Sequence, residues 1–167
     1  MEIKKVVVIG SGTMGSGIAA HLCNANVPVT LLDLTTDIST KARERIHKSR
    51  PPLLIDKSKI DNIKVGNIND DFNVVKEADW IVEAVVERID IKHQIYKKIF
   101  DNRKDGAIVS SNTSSIPIKI LSENMTDDQK KCSHSGCGCH ASCKCDDCAC
   151  TDVEKCAEKC DCGCCHA

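Results

Sequence analysis

Gly10, Gly12 and Gly15 follow directly on an apolar run at residues 4–9, KKVVVI. A glycine-rich turn between a buried strand and a helix lets backbone approach a pyrophosphate closely, and the free N–H groups of the helix N-terminus then bind it. Gly10 suits the tight turn, Gly12 the close approach, and Gly15 the packing of helix against strand. With Thr13 and Met14 they are the candidate cofactor-binding residues of the loop. A second apolar run, about Val27 to Leu32, ends on Asp33. A carboxylate there accepts hydrogen bonds from adenosine ribose hydroxyls and repels a 2′-phosphate, and Leu34-Thr35 offers no arginine to neutralise one. NAD is therefore expected over NADP. Asp33 could also cap a helix near Thr36–His47, and the two roles are compatible.

A second chemistry lies at the other end. Twelve of the thirteen cysteines fall within residues 132–167: Cys132, Cys137, Cys139, Cys143, Cys145, Cys148, Cys150, Cys156, Cys160, Cys162, Cys164 and Cys165. Five Cys-x-Cys units recur, at 137/139, 143/145, 148/150, 160/162 and 162/164, and Cys145 and Cys148 form a Cys-x-x-Cys. Cysteines this close do not suit disulfide geometry with one another, but they can present two thiolates to one soft cation or bridge two cations. Thiolates select Zn(II), Cu(I) or Cd(II) over hard cations. Twelve of them, at four per site with bridging, would hold roughly three to four divalent ions, more if His134, His140 or His166 join. In composition and Cys-x-Cys density the segment resembles a metallothionein. A disulfide-rich mini-domain and an appended metal-binding sequence stay open as alternatives.

The two chemistries need different scaffolds. Residues 1–131 have the composition of one soluble domain able to bury a core. Beyond Lys131, the only apolar residues other than cysteine are Ala141, Ala149, Val153, Ala157 and Ala167, too few to offset the entropy of ordering the segment without metal. Of the 23 basic and 24 acidic side chains, the tail holds three and six, so neither half has the charge of a nucleic-acid binder. The N-terminus lacks the pattern of a signal peptide and no run approaches membrane-spanning length, so a cytoplasmic location is expected, where clustered cysteines favour metal.

Further strands are expected near Ile63–Val65, Trp80–Ala84 and Ala107–Ser110, with helices near Phe72–Glu77, Asp90–Phe100 and Pro117–Leu121. The alternation predicts an α/β fold, a Rossmann-type doubly wound parallel sheet over 1–131, followed by an irregular cysteine-rich metal-binding tail over 132–167. Ligands bind at the carboxyl ends of such strands, where Glu83, Glu87 and the run Ser110–Ser115 fall.

The segments VVVIGSGTMGSGIAAHL, DWIVEAVVERIDIKHQIYKKI and IVSSNTSSIPI resemble the N-terminal cofactor domain of the L-3-hydroxyacyl-CoA dehydrogenases. The resemblance covers about residues 1–131. It implies that Asp33 holds the adenosine ribose, that Glu87 and Lys92 lie at the nicotinamide side, and that Asn112 and Ser114 belong to the active site, Ser114 touching the substrate's reacting oxygen. It also implies an acyl-CoA substrate. In that family the next strand brings a His-Phe-Phe-Asn-Pro-like segment whose histidine removes the hydroxyl proton, and a helical domain completes the site and the dimer. Here the chain passes from Gln129-Lys130-Lys131 to Cys-Ser-His-Ser-Gly-Cys. His134 lies near the family position without its flanking sequence. Inefficient turnover is therefore expected, as is an uncovered sheet edge open to self-association.

Overall fold

The computed structural model describes residues 3–123 and 125. The chain divides into two units, residues 1–124 and 125–167. All twelve tail cysteines and His134, His140 and His166 lie outside the described residues.

The elements run β1 (Val6–Ile9), α1 (Thr13–Asn24), β2 (Val29–Asp33), α2 (Thr36–Lys48), a 3-10 turn (Lys57–Asn62), β3 (Ile63–Asn67), a second 3-10 turn (Phe72–Glu77), β4 (Trp80–Glu83), α3 (Ile89–Asn102), β5 (Ile108–Ser111) and the short α4 (Ile118–Leu121). The five strands form one sheet in the order β3-β2-β1-β4-β5, every neighbouring pair parallel.

Parallel strands read as continuous apolar runs because helices cover both faces. Val6 and Val8 face a core built with Val29, Leu31, Val82, Ala19 and Ala20 of α1, and Ala42 and Ile46 of α2. The alternate residues Val7, Ile9 and Ile81 point the other way and are equally buried. Glu83 shares that second face, and Lys92 and Tyr96 of α3 meet it there, so α3 covers it. Trp80, the chain's only tryptophan, sits half-buried on β4 and donates its indole N–H to Ser110 Oγ on β5 at 2.8 Å. β5 forms one edge. Among the described residues it pairs with β4 alone, and each of its residues is half-buried.

Several boundaries differ from the sequence expectation for local reasons. β2 starts at Val29 because Asn26 adopts a φ of 60° and Val27 N–H turns back to Leu22 O, closing α1. Residues Phe72–Glu77 wind as a 3-10 turn, with Val74 N–H bonded to Asp71 O and Ala78 N–H to Val75 O. A further 3-10 turn forms at Lys57–Asn62, which no hydrophobic pattern marks; Asp56 opens it by accepting from Ser58 N–H at 2.9 Å. Asp33 does not cap α2. Thr35 does, its hydroxyl accepting from Ile38 N–H, because Asp33 is occupied elsewhere.

Candidate cofactor-binding site

The strand order reverses direction about β1, leaving a crevice beyond the carboxyl ends of β1 and β4, where ligands of open α/β sheets bind. Gly10 opens the loop at φ +102°, a region that side chains other than glycine's rarely occupy, and a Cβ there would lie 2.4 Å from Ala84 O. A Cβ on Gly15 would lie 1.8 Å from Gly10 O, so α1 packs against the turn at a distance only glycine allows. At Gly12 a Cβ would meet nothing within 4 Å. Gly12, Thr13 and Met14 form an exposed stretch that begins α1 without a side-chain cap or an acidic residue in its first turn. The N–H groups there are left for an anion. Open space over Gly12 and this uncapped helix end fit the pyrophosphate of a dinucleotide.

Asp33 is fixed beside the same loop. Its Oδ2 accepts from both the backbone N–H and the hydroxyl of Ser11, each at 2.6 Å, and its Oδ1 accepts from Leu34 N–H at 2.7 Å. Ser11 is buried, and its carbonyl accepts from Ser16 Oγ at 2.9 Å and from Arg45 Nη2 at 3.1 Å. Sequence reasoning missed Ser11, though a hydroxyl residue between two glycines is a usable signal. The absence of an arginine at Leu34-Thr35 holds, but α2 carries Arg45 back to the loop from ten residues beyond Thr35.

The remaining predicted residues gather at the ends of β4 and β5. Glu83 is fully buried. Its Oε1 accepts from Lys92 Nζ at 2.7 Å and Val85 N–H at 2.8 Å; its Oε2 accepts from Tyr96 Oη at 3.1 Å and Ser111 Oγ at 2.6 Å. Burial, first of all, pushes the Tyr96 phenol up, which keeps it a donor. Lys92 Nζ also lies 3.2 Å from Glu87 Oε2. Glu87 Oε1 accepts from the Thr113 hydroxyl, from Ser114 N–H at 3.2 Å, and from Ser115 N–H at 3.2 Å and its hydroxyl at 3.0 Å. The Thr113 hydroxyl above all, with Ser115 and Lys92, holds Glu87 well below the usual carboxylate range against an opposing desolvation. Asn112 N–H donates to Glu83 O at 2.8 Å. Ser114 is exposed at the tip of the loop. Glu87, Lys92, Asn112 and Ser114 thus share one cluster, whose hub is Glu83, and it lies across β1 from Asp33. Among the described residues no group of three or more histidine, cysteine or acidic side chains could hold a metal ion, and no helix is long and apolar enough to cross a membrane.

Residues 5–140 match the family model described as 3-hydroxyacyl-CoA dehydrogenase, NAD binding domain. A Rickettsia felis protein, provisionally named a fatty acid oxidation complex trifunctional enzyme, is 44% identical over 136 residues, covering 77% of this chain and 19% of that one. The crystal structure of FadB2 from M. tuberculosis superposes with a TM-score of 0.64 at 31% identity, covering 73% of this chain and 45% of that one. That of (S)-3-hydroxybutyryl-CoA dehydrogenase PaaH1 from Ralstonia eutropha gives 0.62 at 29% identity, covering 72% and 44%. The chain therefore spans less than half the length of these relatives. By its loop, its acid at the end of β2, its sheet order and these matches, the chain belongs to the 3-hydroxyacyl-CoA dehydrogenase family and carries that family's NAD-binding domain.

Proposed function

We propose that residues 1–131 hold NAD for hydride transfer with a 3-hydroxyacyl-CoA, and that residues 132–167 separately take up Zn(II) or another soft d¹⁰ ion such as Cu(I) or Cd(II). The observation that carries the first part is the pairing of an open glycine loop with an acid fixed beside it by Ser11. Asp33 takes the adenosine ribose, the uncapped start of α1 takes the pyrophosphate, and the nicotinamide half extends over β4 toward Glu87 and Ser114. NAD supplies the hydride-accepting ring when bound. The chain's own residues orient it, with Ser114 and Asn112 placed to meet the substrate oxygen.

Turnover in this chain is slow on this reading. A base must stand within hydrogen-bond reach of the hydroxyl proton and be fixed there. No histidine follows Ser114 until His134, which sits in Cys-Ser-His-Ser-Gly-Cys and falls inside the family match. The β5 edge offers a surface for self-association, and the cysteine usage favours a reducing cytoplasm. The test is a titration of the full chain with NAD and NADP beside a steady-state assay for NADH formation. NAD should bind much more tightly than NADP, with little turnover. Equal affinities would defeat the cofactor assignment, and turnover near the enzyme median of about 10 per second would defeat the missing-base argument.

A further inference from the structure

Both oxygens of the buried Glu83 are engaged, by Lys92 and Tyr96 from α3, Ser111 from β5 and the Val85 N–H. Lys92 is buried as deeply, its side chain 1% exposed, with Nζ held between Glu83 Oε1 and Glu87 Oε2. Glu87 differs, with 35% of its side chain exposed, and it follows the Ala84 carbonyl that packs on Gly10. An apolar pair of similar volume often serves a core as well as a buried ion pair or better, so packing alone gives little reason for charge at Glu83 and Lys92. The ions converge instead on one exposed carboxylate at the mouth of the crevice, and Thr113 and Ser115 pin its other oxygen. Two carboxylates and one ammonium leave one negative charge there, preorganised and partly shielded from water.

We infer that Glu83 is a positioning residue that acts on the cofactor through Lys92 and Glu87, and that the net negative charge of this triad favours the cationic nicotinamide ring of NAD⁺ over the neutral ring of NADH. The inference rests on the placement of the nicotinamide half over β4 proposed above. Glu87 and Lys92 are the members at the cofactor. Glu83 fixes the ammonium and supplies the second negative charge, so its effect is felt at the ring without contact.

The experiment measures dissociation constants of NAD⁺, NADH and ADP-ribose, which lacks the nicotinamide, on the full chain and its variants. Glu83→Gln keeps the shape of the side chain and removes one charge. It should weaken NAD⁺ relative to NADH by roughly ten- to fiftyfold, the range one charge exerts across about 7 to 12 Å at the effective dielectric of a protein, and leave ADP-ribose binding unchanged. Adding Lys92→Met returns the site to one negative charge and should restore the wild-type ratio, which mere loosening of the core would not do. If Glu83→Gln fails to fold, Glu87→Gln at the exposed end must shift the ratio in the same direction. An unchanged NAD⁺ to NADH ratio in the folded variants would overturn the inference, as would an equal loss of ADP-ribose affinity. Failure of the wild-type chain to bind ADP-ribose would instead refute the cofactor assignment itself.

Discussion

Asp33 and Arg45 set opposite charges on either side of Ser11, one at its N–H and hydroxyl, the other at its carbonyl. With Asp33 present, a 2′-phosphate meets a carboxylate. Asp33→Ala should therefore narrow the preference for NAD over NADP, and Arg45→Ala added to it should weaken NADP again while changing NAD little. Paired titrations of the single and double variants check this. The glycines make a second prediction because their surroundings differ. Gly15→Ala drives a methyl into the Gly10 carbonyl and should cost about 3 kcal/mol of stability, the upper end for overpacked sites, read as a fall in urea midpoint. Gly12→Ala meets open space, so it should melt near wild type yet bind NAD more weakly. These residues were legible in the sequence because backbone geometry dictates their type and order. Glu83 as hub was not, since its partners stand 9, 13 and 28 residues away and such contacts leave no local pattern.

Among the elements, the residues that lead into β1 are tied to the turn before β4 by the Asp79 carboxylate. Asp79 accepts from the N–H groups of Lys4 and Lys5 at 2.8 and 2.9 Å and pairs with Lys104. Lys104 first, then those N–H groups, lower its pKa from 3.8 to about 2. A depressed carboxylate contributes stability that is fully present above 3.8 and is lost as the pH falls through about 2. Asp79→Asn should thus be less stable than wild type at neutral pH and should flatten the acid limb across that window, which urea midpoints at successive pH values would record. The strands and main helices were legible because buried parallel strands are continuous apolar runs and α2 and α3 carry amphipathic stripes. The boundaries were not. Val27 reads as strand by its β-branched side chain, but Pro28 interrupts the run and the turn at Asn26 claims the Val27 N–H.

At the scale of the whole molecule, the sequence divides sharply in composition at Lys131, and the tail is proposed to take its order from metal. Zinc or cadmium added to the reduced chain should bind at roughly three to four ions per chain, displace protons from the thiols and be released on acidification. Native mass spectrometry with thiol counting checks this; no uptake by reduced protein, or tail cysteines already paired as disulfides, would replace the metal reading with the mini-domain one. Trp80 makes the proposed division of labour observable. The chain's tryptophan, its tyrosine and both phenylalanines all precede Lys131, while every cysteine but the buried Cys23 follows it. Indole emission therefore belongs to the sheet alone, and it comes from a ring tethered to Ser110 across the β4–β5 pair. Any thiolate-to-metal absorption would come from the proposed metal-binding half. Light of two colours would thus follow the sheet through its indole and the proposed loading of the tail through its thiolates in the same cuvette.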